Sequence, residues 1–197
     1  MSNPRSKKSI FIIFAAVVTC ILTVWAVFQG QGGNHDEALT KKFLTEIYQV
    51  NDHARIEKIQ ARMEEWRRSV SPSAPAGIQQ IPEEVYSDYL ALYQPMTTLG
   101  GYEQITKNAD TTYADLFAVE NGYLFHVQDV TLKEDVITET HKQYWYTMSI
   151  KAISEKDGSS TDITSEGKIT LAKDESGAFL VDTFNPLNRR GYEKLKA

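Results

Sequence analysis

The stretch Lys142–Ser154, KQYWYTMSIKAIS, alternates strictly: Tyr144, Tyr146, Met148 and Ile150 fall on one side of an extended chain and Trp145, Thr147, Ser149 and Lys151 on the other. A period of two with one apolar and one mixed face is the pattern of a half-buried strand in an antiparallel sheet. Downstream, Asp157-Gly158-Ser159 turns the chain into Ile163–Leu171, and Glu175-Ser176-Gly177 turns it again into Ala178–Phe184. Upstream, Tyr123–Leu132 and Thr111–Val119 are rich in aromatic and branched residues, and Glu120-Asn121-Gly122 between them reads as a hairpin turn. Four or five antiparallel strands are expected. In Tyr123–Leu132 the apolar face switches from Phe125 and Val127 to Val130 and Leu132, which predicts a bulge near Gln128 or Asp129 and a bend in the sheet.

Ahead of the strands the period changes to that of helices. Leu39, Phe43, Ile47 and Val50 recur at helical spacing, and a second series, Ile56, Ile59, Met63, Trp66 and Val70, follows with its phase shifted. The shift places a break at Asn51-Asp52-His53, where Asn or Asp caps the new helix. Ser69–Gly77, with two prolines and small residues, is a loop within the domain. A third helix begins at Pro82, with Glu83 and Glu84 in its first turn and Val85, Tyr89, Leu92 and Tyr93 along it. Neither helix series sustains enough heptads for a coiled coil, so homo-oligomerisation is compatible with the pattern without being required by it. Helices followed by a meander of strands make the expected fold α+β, three helices on a curved antiparallel sheet.

Residues 1–9 form a basic leader and Ile10–Phe28 an uncharged run of 19 residues. At about 1.5 Å per residue that run covers about 28 Å, close to the hydrocarbon thickness of a bilayer. Arg5, Lys7 and Lys8 precede it and the first charges after it are Asp36 and Glu37, so the expected topology is a single-pass cell-membrane anchor with a cytoplasmic N-terminus and an extracytoplasmic domain. A cleaved signal peptide shares the basic start, and Val24-Trp25-Ala26 loosely fits a cleavage site, but the apolar run is longer than a signal core of about 7 to 15 residues. Cys20 lies inside the run among apolar neighbours, which argues against a lipid-attachment cysteine. Gln29–His35 is glycine-rich and is expected to be a flexible joint, leaving 36–197 as one domain.

From Gln29 onward the chain carries 26 acidic and 18 basic residues, a net charge of −8. Phosphate recognition needs a basic face, so direct nucleic-acid binding is not expected. With one cysteine in the whole chain no intrachain disulfide forms, and stability rests on the apolar core.

No phosphate loop, nucleophile elbow, Cys-x-x-Cys or His-Glu-x-x-His is present, so no enzymatic activity, cofactor or metal is expected. His35, His53, His126 and His141 are scattered; only His126 and His141 stand where neighbouring strands bring them together, and two imidazoles without a carboxylate make a poor metal site. Asp115, His126 and Asp129, with the ten tyrosines, supply ingredients of acid–base chemistry. They would form a site only if a deep pocket set Asp115 or His126 opposite a tyrosine. Aromatic side chains also anchor protein contacts. On that basis Trp66, Tyr89, Tyr93 and Trp145 are the candidate interaction residues, and the polar tail Asn188–Lys194 either docks or frays.

The order of elements, with Tyr48-Gln49-Val50-Asn51-Asp52 as the polar break after the first helix and Gly177-Ala178-Phe179-Leu180-Val181-Asp182 as the closing strand, resembles the nuclear transport factor two-like cone fold. Within it the layout looks like the VirB-eight-type assembly factors of type IV secretion and conjugation systems. That resemblance implies a structural component of a bacterial conjugative channel, recruiting other channel subunits through its extracytoplasmic domain. A membrane-anchored domain binding a small ligand or peptide, and a cone-fold isomerase or dehydratase, are the alternatives.

Overall fold

The computed structural model describes residues 32–69 and 83–187 together with Tyr192 and Leu195. The leader, the apolar run Ile10–Phe28, residues 29–31 of the joint, most of the proline-rich loop, the expected helix start at Pro82 and the tail Asn188–Lys194 apart from Tyr192 lie outside the described residues. Among the described residues no helix is long and apolar enough to cross a membrane. The chain divides into two compact units between Ala38 and Leu39, a boundary inside the first helix, and from Leu39 onward the fold below is that of the second.

Helix α1, Gly32–Tyr48, already includes the end of the glycine-rich segment read as a joint. It stops at the expected break, and α2, Ala54–Ser69, begins after Asp52, whose Oδ1 accepts the Ala54 N–H at 3.0 Å. The third helical segment is a composite: a 3-10 turn Glu83–Tyr86, then α3, Ser87–Tyr93, then a 3-10 turn Gln94–Met96. Two further helices follow where three were expected in all. Helix α4, Leu99–Lys107, is capped by Thr98, whose side chain accepts the Gly101 N–H. Gly101 lies against the backbone of Val181 and Asp182 so closely that a Cβ has no room there.

Helix α5, Tyr113–Asn121, corrects the strand expected at Thr111–Val119. Aromatic and branched content suggested a strand, but Ala114, Asp115, Phe117 and Ala118 are buried together at helical spacing, so packing against a helical face prevails over local preference. The expected hairpin turn is instead the end of this helix: Gly122 takes φ +68° and returns its N–H to Ala118, a left-handed cap that glycine adopts without steric cost.

The sheet has four antiparallel strands in the order β1-β2-β3-β4: β1, Tyr123–Ile137; β2, His141–Ser154; β3, Ser160–Lys173; β4, Phe179–Pro186. The bulge stands where the switch of apolar faces put it, as a register shift between Val127 and Asp129. Tyr144, Tyr146, Met148 and Ile150 are all buried against the helices, as the alternation required.

Both sheet edges are managed. Val50 exchanges hydrogen bonds with Phe125 at 2.9 Å each way, and the Gln49 side chain accepts the Val127 N–H at 2.9 Å, so the break after α1 covers the start of β1. On the far side Thr98 N–H donates to Val181 O at 2.8 Å, covering β4. The open remainder of β1 carries Lys133-Glu134-Asp135 and a second register shift, features that discourage addition of another strand.

Two of the three strand-connecting turns are built alike. Asp157 Oδ1 accepts from Ser159 N–H at 3.0 Å and its hydroxyl at 2.7 Å, while Asp174 Oδ1 accepts from the Ser176 hydroxyl at 2.7 Å and from the Ser176 and Ala178 N–H groups at 2.9 Å each. These bonds, the serine hydroxyls foremost, hold both carboxyls below the usual aspartate range. A lowered native pKa means the contribution is present above the unfolded value of about 3.9 and lost as pH falls through the native one. Acidification below pH of about 4 is therefore expected to speed hydrogen exchange at Ser159, Ser176 and Ala178 ahead of the strand interior. Unchanged protection at those amides would refute the assignment.

Candidate functional site

The densest group of interior polar atoms centres on Asp115 of α5, which is 1% exposed. Arg55, at the start of α2, holds it in a forked contact, Nε to Oδ2 at 3.0 Å and Nη2 to Oδ1 at 3.1 Å. Tyr89 of α3 donates its hydroxyl to Oδ2 at 2.5 Å. The guanidinium also lies 5.1 Å above the Tyr89 ring and reaches the Gln49 carbonyl at 3.3 Å. Burial opposes the charge on Arg55, but the Asp115 carboxylate outweighs it and raises the guanidinium pKa above the ordinary value. Burial likewise pushes the Tyr89 phenol well up, with the Asp115 charge adding to it, and the protonated phenol donates to the carboxylate.

The expected opposition of Asp115 to a tyrosine thus exists, but as a packed contact. Both carboxylate oxygens are occupied by donors within this chain. Oδ1 accepts only the Arg55 Nη2 bond and keeps a lone pair, but the carboxylate is 1% exposed and held by a cation, an arrangement unlike that of a base facing a substrate.

A second polar group lies under β2 and β3. Ser165 donates to the Tyr48 hydroxyl at 2.9 Å, and the Tyr48 and Tyr146 hydroxyls are 3.5 Å apart. Near it a cavity of about 10 Å³, one water's worth of space, is lined by Tyr48, Asp110, Tyr113 and Tyr192. A larger groove of about 370 Å³ runs between α2 and α5. Ile59, Met63 and Leu116 form its apolar wall and Tyr86 and Arg67 line it with them. That volume falls in the range of small-ligand sites, about 300 to 1,000 Å³.

The structure distributes the sequence candidates unequally. Tyr89 and Tyr93 are 1% and 0% exposed, stacked on each other at 6.0 Å, and so are core residues and not surface anchors. Their period-four spacing on one apolar face was the available sign of burial. Trp66 is half-buried against the core, whereas Trp145 is 36% exposed on the solvent side of β2, flanked by Lys133 and Lys168 in the neighbouring strands. Lys168 Nζ stands 4.1 Å over its ring and bonds Asp135 at 3.0 Å. Arg68 pairs with Glu64 one turn away on the exposed face of α2 at 3.1 Å.

His126 and His141 do not meet. His126 is opposite Lys151 at one end of the β1–β2 ladder and contacts Gln49 at 3.2 Å, while His141 starts β2 at the other end. Antiparallel register sets apart residues that adjacency of strands alone had brought together. His53 contacts Glu155 at 2.8 Å, and Asp129 sits at the bulge, bonded by Thr131. Among the described residues no group of three or more His, Cys, Asp or Glu converges as a metal site.

Sequence reasoning missed Arg55 and Tyr192. Arg55 lay on the polar side of the α2 pattern, and only the three-dimensional position of Asp115 reveals its partner. Tyr192, from the tail read as polar, is 2% exposed.

Comparisons with family models, with curated proteins and with solved structures yield no match, so the reading of this site rests on the geometry of its own residues.

Removing one member of a buried ion pair strands the other. Asp115→Ala and Arg55→Ala are each expected to cost about 3 to 5 kcal/mol in equilibrium urea unfolding, and the double variant much less than the sum. Additive losses would mean the two side chains are not coupled.

Proposed function

We propose that this chain is a membrane-tethered, non-catalytic contact module of an envelope-spanning assembly, of the conjugative type IV secretion kind that its layout resembles. The apolar run Ile10–Phe28 behind a basic leader supports the tether, and the helices-then-meander order supports the module. The observation that carries the contact role is the contrast between interior and surface. The interior carboxylate Asp115 is bound by Arg55 and Tyr89, while Trp145 is presented to solvent from the first half of a long strand. A large aromatic side chain on a rigid sheet is a low-entropy anchor for a partner. The partners of this reading are other channel subunits, with a second copy of the chain next.

A second reading, a small-ligand or peptide-binding domain on the same anchor, is favoured by the groove between α2 and α5. The isomerase or dehydratase reading is disfavoured by the burial of Asp115 and its pairing with Arg55.

Trp145→Ala is expected to leave the fold intact, to weaken co-purification of secretion subunits from crosslinked membranes, and to lower DNA transfer about tenfold or more, a loss on the scale of one anchor residue. Normal transfer in a clean deletion of the gene would sink the assignment. Saturable thermal stabilisation by a small ligand, with transfer unaffected, would favour the second reading.

A further inference from the structure

The cations of α2 are matched one by one with acids. Arg55 forks Asp115, Lys58 and Arg62 converge on Asp88, and Arg68 reaches Glu64. Arg67 differs: among the described residues no carboxylate stands within ion-pairing distance of it. Its place in the fold gives that difference a use, because Arg67 borders the groove of about 370 Å³ between α2 and α5. Ile56, Ile59, Met63 and Arg67 follow one another at steps of three, four and four along one face of α2, with Leu116 of α5 across from them. The groove therefore follows an aliphatic stripe that ends in a cation. No acidic side chain is among the described residues that line it, in a chain where acidic residues outnumber basic ones.

We propose that this groove binds a small monocarboxylate with an aliphatic tail, the tail lying along Ile56, Ile59 and Met63 and the acid group meeting Arg67. The inference rests on the second reading above, that the groove holds a small ligand, and it names the class of that ligand; it is independent of the contact role of Trp145. Size comes first: the volume is near the lower end of the range for small-ligand sites, about 300 to 1,000 Å³, so one short chain fills it. Charge comes next. One guanidinium balances a monoanion, whereas a phosphate monoester carries about −1.5 to −2 at neutral pH and would stay partly uncompensated. The planar fork of an arginine also takes a carboxylate in two parallel hydrogen bonds, a geometry that a point charge does not offer. Met63, unbranched and flexible, lets the wall adapt to the tail.

The test follows methyl-labelled methionines by NMR in the full chain in detergent. Met63 lines the groove, while Met96 and Met148 are 3% and 0% exposed in the core and report any general disturbance of the fold. Octanoate is expected to shift the Met63 methyl saturably and to leave Met96 and Met148 in place; octanol, with the same tail and no charge, is expected to bind more weakly. Arg67→Gln alters an exposed helix position, so the fold is retained. It is expected to raise the Kd of octanoate about fivefold, the upper scale of an exposed ion pair, and to leave that of octanol unchanged. Octanol binding as tightly as octanoate, or octanoate indifferent to Arg67→Gln, would overturn the charge-matched class while leaving the groove a ligand site. Absence of a Met63 shift with both compounds would remove the site and the proposal together. Tighter binding of octyl phosphate than of octanoate would overturn the monocarboxylate assignment. A Met63 shift that requires replacement of residues 71–80 by glycine and serine, or that follows protein concentration without ligand, would give the groove to that segment or to a second copy of the chain, and would overturn it as well.

Discussion

A carboxylate taken out of water among aromatic rings must be matched by charge and hydrogen-bond donors, and that demand at Asp115 organises the helical layer. The residue sits on α5, its cation comes from the start of α2, and its third donor comes from α3. Each element alone would bury its apolar stripe in several rotational settings. The fork of Arg55 and the short bond from Tyr89 select one of them, because any other leaves a buried charge without a partner. The guanidinium also reaches the Gln49 carbonyl, so the same cluster fixes the break between α1 and α2.

That break in turn completes the sheet. Gln49 and Val50 cover the start of β1 at Phe125 and Val127, while Thr97 and Thr98 pair with Val181 of β4, so each edge strand is covered in part. The bulge after Val127 allows β1 to place Phe125 inward on one side and Val130 inward on the other despite the odd spacing. Behind this frame the interior is filled by aromatic side chains, Tyr192 included, and the cavity beside Tyr48, Asp110 and Tyr192 has room for one water.

The two faces of the sheet therefore have opposite characters. The inner face is committed to the fold, whereas the outer face presents Trp145 between lysines and the groove between α2 and α5 opens elsewhere on the surface. A function based on contact uses surfaces of this kind without demands on the core. Chemistry inside the core would require dismantling the Arg55–Asp115–Tyr89 cluster that holds the helices.

By itself the sequence determined what depends on neighbours along the chain: the three strands of strict or near-strict alternation after Lys142, the serine-bearing turns, the cap at Asp52 and the bulge in β1. Side-chain direction along a strand repeats every two residues, and turn chemistry is local, so these features are written in consecutive residues. Tertiary structure alone decided the rest. The segment from Tyr113 became helical because its burial comes from α2, α3 and β1 together, a context its own composition does not carry. Tyr89 and Tyr93 turned inward and Trp145 outward according to which faces met the core. Arg55 found Asp115 across 60 positions of sequence, and Tyr192 found Phe125 across 67. Those pairings are set by close packing of distant segments, which no local period encodes.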